Sequence, residues 1–177
     1  MSRKLKLIAP PLIVFALLAL NVGVFTASAH NWGNWHWDKS GTNITIQQWT
    51  YGTNTAEAEN ARQDAWNRIS NLYNYNSSSH TDISVFGDNA GNTGWAGLAS
   101  LENVSGDHII HAHARYNNYY GYASNDIQGV YCQEVEHTYG FDHNNTGGCM
   151  GAGYFSGSGN TLSQHDVDDF YNLYRYH

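Results

Sequence analysis

Gln133-Glu134-Val135-Glu136-His137 carries two donor side chains four residues apart. On an α-helix, positions 133 and 137 leave the same face one turn apart, so both can reach one metal ion. Glu134 stands beside the first donor, within reach of a water at that metal. Gly140 lets the chain turn sharply where the helix ends, and His143 comes back as a third donor. Three protein ligands with one open position is the layout of a catalytic zinc site. In such a site the metal acidifies a water, and a neighbouring carboxylate takes the proton and passes it to a leaving amine.

The full run Gln133-Glu134-Val135-Glu136-His137-Thr138-Tyr139-Gly140-Phe141-Asp142-His143 resembles the metzincin signature His-Glu-x-x-His-x-x-Gly-x-x-His, with glutamine at the first zinc position. Cys149-Met150-Gly151 stands where the methionine turn of that family would follow. Leu162 to Asp168, with Leu173-Tyr174, is similar to the start and end of the C-terminal helix in matrixin-like members. Trp95-Ala96-Gly97-Leu98-Ala99 resembles the edge strand against which such proteases lay an extended substrate. The likeness is to small secreted bacterial forms and is densest over residues 95–174.

The resemblance implies a single α+β (α/β) metzincin-like domain with a twisted mixed sheet, a backing helix, an active-site helix and a C-terminal helix. It implies one catalytic Zn2+ held by His137 and His143, with Gln133 in the place of the third ligand. Glu134 would be general base and then acid, and Met150 an apolar floor beneath the metal. Trp95, Gly97, Leu98 and Ala99 would bind substrate. The implied activity is hydrolysis of peptide bonds in extracellular protein through a metal-activated water.

Gln133 is the departure. An amide oxygen is a weaker zinc donor than an imidazole nitrogen, although glutamine is long enough to reach the same point. Three readings stay open: Gln133 ligates zinc weakly; another donor completes the site; or the site is degenerate and the chain is an extracellular peptide- or protein-binding module. Retention of Glu134 favours activity, although a glutamate on a helix surface is also commonplace.

Cys132 directly precedes the motif and Cys149 directly precedes Met150. In an exported chain two cysteines more often pair than stay free, and this pair would strap the methionine turn to the active-site helix. Separate buried thiols are the other reading. Of the 10 histidines, His108, His111 and His113 also draw notice. His111 and His113 alternate onto one strand face, where a structural metal could sit, but packing of partly exposed rings is the favoured account. His165 reads as a solvent-facing helix residue, and Tyr154 as packing rather than as an aid to an oxyanion. His30, if freed by cleavage, would offer an amine and an imidazole to copper, a reading nothing else in the chain supports.

The elements that must position these groups follow from periodicity. Asn43 to Trp49 alternates apolar and polar residues and predicts a half-buried strand. Thr55 to Tyr73 predicts a helix, with Ala58, Ala61, Ala65, Ile69 and Leu72 on one face and Asn54 or Thr55 as its cap. Further strands are predicted over Asp82–Asp88, with Ile83, Val85 and the Phe86 ring inward, over Trp95–Leu101 and over Asp107–Tyr116. In the last, Ile109, His111, His113 and Arg115 share one face and Ile110, Ala112, Ala114 and Tyr116 the other. A second helix starts at Ser124 or Asn125 and stops at Gly140. A third starts at Ser163, where Asp166 fits a capping box, with Val167, Phe170, Tyr171 and Tyr174 on its apolar face.

The chain as a whole sets the compartment and the partners. Arg3, Lys4 and Lys6 precede an apolar run over Leu12–Leu20 and the small residues Ala27-Ser28-Ala29, the pattern of a signal peptide over residues 1–29. Residues 30–177 then form one domain, read as a secreted monomer with no further membrane segment. Without those three basic residues, 5 Lys+Arg of the 8 remain against 15 Asp+Glu, a formal charge of −10. Such a surface repels phosphate backbones and anionic lipid, which excludes nucleic acid and membrane surfaces as partners and leaves a protein or peptide substrate.

Overall fold

In the computed structural model, which describes residues 31–151 and 159–176, Ile44 and Ile46 alternate with exposed polar residues and build β1 (Ile44–Gly52). The expected signal peptide, His30 and Tyr154 lie outside the described residues. Helix α1 (Thr55–Arg68) buries Ala58, Ala61 and Ala65, small side chains that let it lie close on the sheet. Its N-cap, Asn54, has left-handed backbone (φ 58°) and makes no side-chain capping bond, unlike the expected cap.

The expected helix to Tyr73 is corrected. α1 ends at Arg68, Ile69 is extended, and Leu72–Ser77 forms an additional strand, β2, parallel to β1. Ile69 and Leu72 are buried all the same. A spacing of three residues satisfies a helix face, and a turn leading into a strand satisfies it equally. The Leu-Tyr-Asn-Tyr alternation then favours the strand.

β3 (Ile83–Asp88), β4 (Gly97–Ser105) and β5 (His108–Asn117) complete the sheet, in the order β2-β1-β3-β5-β4. β1, β2, β3 and β5 run parallel and β4 is antiparallel to β5, so the sheet is mixed and β4 is one of its edges. α1 packs on β1, β2 and β3, and α2 (Ser124–Thr138) packs on β4, β5 and α1. Ile83, Val85, Ala112, Ala114 and Tyr116 are buried in the core.

Phe86 is not inward. It pairs in register with Tyr51 and Arg115 on the opposite face, stacked on Tyr51 at 5.0 Å with the Arg115 guanidinium 5.8 Å from its ring. The two isoleucines of β5 also exchange places: Ile109 is 2% exposed and Ile110 46%. The ladder between β4 and β5 is irregular twice between Leu101 and Val104, and the second irregularity places an extra residue, Ile110, in β5, which reverses that strand's alternation beyond it.

α3 (Gln164–Tyr174) starts at the capping box: the Ser163 hydroxyl accepts from the Asp166 amide at 3.2 Å, and the Asp166 carboxylate accepts from the Ser163 amide at 2.6 Å. Val167, Phe170, Leu173 and Tyr174 are buried, while Tyr171 is half-buried and its hydroxyl accepts from the Ser70 amide. The segment before β1 closes over the end of α2. Its Trp32 amide donates to the Gly140 carbonyl and its Trp37 indole to the Thr138 carbonyl, each at 2.7 Å.

Candidate metal centre

α2 presents Gln133, Glu134 and His137 to one cleft, and the turn after it returns His143 to the same place. The turn depends on Gly140. Its φ is +98°, and a Cβ there would run into the Trp35 carbonyl, so only glycine fits on both counts. His143 is fixed locally by its own amide, which donates to the Asp142 carboxylate at 2.7 Å.

The two histidines fit a zinc ion. His137 Nδ1–H donates to the Phe141 carbonyl at 2.7 Å, which leaves the lone pair on Nε2. His137 Nε2 and His143 Nε2 are 3.1 Å apart. Two nitrogens each about 2.0–2.1 Å from a tetrahedral zinc stand about 3.3–3.4 Å from one another, so the observed separation is nearly that of a loaded pair. Burial holds His137 below the usual imidazole range and nearby His143 acts in the same direction, against the opposing effect of the Phe141 bond. The ring is therefore neutral at neutral pH, as a ligand must be.

Glu134 is 6% exposed. Burial pushes its carboxyl up to about 8, against the opposing hydrogen bond from the Ala99 backbone. Room for this side chain comes from β4, because a Cβ on Gly97 would overlap the Glu134 carboxylate and crowd Val130. The expected edge strand at Trp95–Leu101 is displaced along the chain. Trp95 and Ala96 precede the strand, which runs on to Ser105. Trp95, Gly97, Leu98 and Ala99 nonetheless line the cleft opposite α2.

The cleft has a volume of about 470 Å³ and is also lined by Trp32, Val130 and Asp142. Trp32 meets the His137 ring at 5.6 Å in an edge contact. Nothing in the spacing of the motif signals Trp32, since it is brought there by long-range folding of the N-terminal segment. Cys132 and Cys149 are joined as a disulfide with their Cα atoms 5.8 Å apart. Met150 is buried beside it, and its carbonyl accepts from the Asn144 amide at 2.8 Å. The strap therefore ties α2 to the chain just after His143.

No protein-family model and no curated protein matches the sequence. Among solved structures, the chain is similar to high choriolytic enzyme 1, a hatching-enzyme zinc-protease from the medaka fish Oryzias latipes. The match has a TM-score of 0.53 at 15% identity and covers 79% of this chain and 94% of that one. At that identity the likeness speaks for the backbone arrangement. The protein has an α+β fold, a mixed five-stranded sheet with packed helices, consistent with a metzincin-like domain and shared with a zinc protease.

Proposed function

We propose that the protein is a secreted, monomeric zinc metalloendopeptidase of matrixin-like character that cleaves extracellular protein or peptide. The observation that carries this reading is the 3.1 Å approach of His137 Nε2 to His143 Nε2 in the cleft that also holds buried Glu134. Zinc, when bound, supplies a Lewis acid that lowers the pKa of water and polarises a carbonyl. His137 and His143 would hold it, with Gln133 lending its amide oxygen as a weaker third donor.

The chain's own groups do the rest. β4 is an edge of the sheet, so its outward backbone groups, apart from the Ala99 amide that donates to Glu134, can pair with an extended peptide along the cleft. Gly97 keeps the space in which Glu134 works. Glu134, once ionised, takes a proton from the attacking water and delivers it to the departing amine nitrogen. Trp32 and Trp95 wall the cleft with apolar surface and exclude bulk water. The −10 charge after residue 29 accords with a protein partner, not with nucleic acid or membrane.

The test is metal analysis of protein purified without chelator, with casein or gelatin digestion alongside. Zinc-dependent, chelator-sensitive cleavage that disappears in Glu134→Ala is expected. Absence of zinc at the cleft even in excess metal would sink the proposal. Peptide binding without cleavage would reassign the chain as a binding module.

A further inference from the structure

Three histidines meet on the sheet face opposite the buried Ala112 and Ala114, away from α1 and α2. His111 and His113 come from β5, and His80 from the turn between β2 and β3. His80 stacks on His111 with ring centroids 4.1 Å apart, and His113 stands edge-on to His111 at 4.8 Å and to His80 at 6.0 Å. One ring nitrogen from each of the three lies within 4.8 Å of the others. Around a tetrahedral ion at about 2.0–2.1 Å the nitrogens would stand about 3.3–3.4 Å apart. His80 is exposed on its turn, so its side chain has room to change rotamer toward the other two.

His111 gives the independent sign. Its Nδ1–H donates to the Thr81 carbonyl at 2.5 Å, which fixes the tautomer and leaves the lone pair on Nε2. That Nε2 is buried and has no hydrogen-bond partner among the described residues. A buried acceptor without a donor is costly, and packing of the rings accounts for the stack but not for the orphaned nitrogen. A carbonyl on the far nitrogen is also the arrangement that orients a metal-ligating histidine. The Nδ1 of His113 stands 3.5 Å from the Glu102 carboxylate, a longer contact than that of His111 with Thr81.

We propose that His80, His111 and His113 form a second metal site, for zinc or a similar late divalent cation. It clips the β2–β3 turn to β5, the strand that pairs with the substrate edge β4. The site shares no residue with the cleft and does not depend on the protease reading.

The test uses the tag-free chain with both cleft ligands removed, H137A/H143A, titrated with Zn2+ by equilibrium dialysis. One ion per chain is expected, with a rise in Tm on loading. Adding His80→Ala to that background is expected to weaken zinc binding at least about 100-fold, beyond the 10–100-fold that loss of an outer partner produces. It should also abolish the Tm rise. His111→Gln should do the same, but His80→Ala, on an exposed turn, decides the matter if His111→Gln fails to fold. No zinc taken up by H137A/H143A, or uptake indifferent to His80→Ala, would overturn the proposal. Absence of proteolysis by the unaltered chain would overturn the protease reading and leave this one standing.

Discussion

In the proposed mechanism Glu134 has to be ionised to accept a proton, yet burial pushes it up to about 8. A divalent cation held by His137 and His143 favours the carboxylate and brings that value down. The acidic limb of kcat/KM should therefore have its midpoint below about 8; a limb at or above that value would separate Glu134 from the metal. Gly97 is the second lever at this scale, since a methyl there collides with the Glu134 carboxylate. Gly97→Ala should lower kcat by about 10–100-fold, because displacing a reacting group by an ångström costs that much. Its far-ultraviolet circular dichroism should be unchanged, and full activity would show that the base lies elsewhere. At position 133 an imidazole is the better donor. Gln133→His should tighten zinc at least about tenfold in a competition titration, and an unchanged affinity would remove Gln133 from the ligand set.

Among the elements, α2 carries most of the site and the disulfide holds its continuation. The Cys132–Cys149 bridge closes a loop of 17 residues' separation. Constraint of the unfolded chain by a loop of that size is worth about 3 kcal/mol. The Cys132→Ser/Cys149→Ser double variant should lose about that much in urea unfolding. It should also bind zinc more weakly, since His143 lies between the bridged residues. Equal stability would mean that the strap contributes nothing beyond what packing of Met150 already gives. The C-terminal end of α2 and the start of α3 are readable from local chemistry: Gly140 for the turn, Ser163 and Asp166 for the capping box. β2 is not, because burial of Ile69 and Leu72 is compatible with either a helix or a strand until β1 is present to pair with it.

Across the whole molecule, one buried acid joins three helices. Glu136 on α2 is 1% exposed, and its Oε2 has no hydrogen-bond partner among the described residues. Burial first, then the nearby charges of Asp166 on α3 and Asp64 on α1, raise it well above the usual value of 4.5. The folded chain thus keeps a proton that the unfolded chain releases. The stability this group contributes is whole below its unfolded value and is lost as pH rises through the folded one. In the presence of chelator, the free energy of unfolding should fall with rising pH, by at most about 1.4 kcal/mol per pH unit for this proton. Glu136→Gln should flatten that slope and gain on the unaltered chain at alkaline pH. An identical slope in both would show that Glu136 is ionised in the fold.

The sequence by itself determined what depends on neighbours along the chain. The spacing of Gln133, Glu134, His137 and His143 is one such feature, and the helix that aligns them is another. The Ser163–Asp166 cap is local in the same sense. Helical period and capping are set within a few residues, so they survive being read without the rest of the molecule. Tertiary structure alone decided the faces of β5 beyond the irregularity near Leu101, the outward turn of Phe86 and the extra strand β2. It also brought Trp32 to His137 and His80 to His111 and His113. Those contacts join residues far apart in the chain, and only strand pairing and closure of the N-terminal segment over α2 bring them within reach.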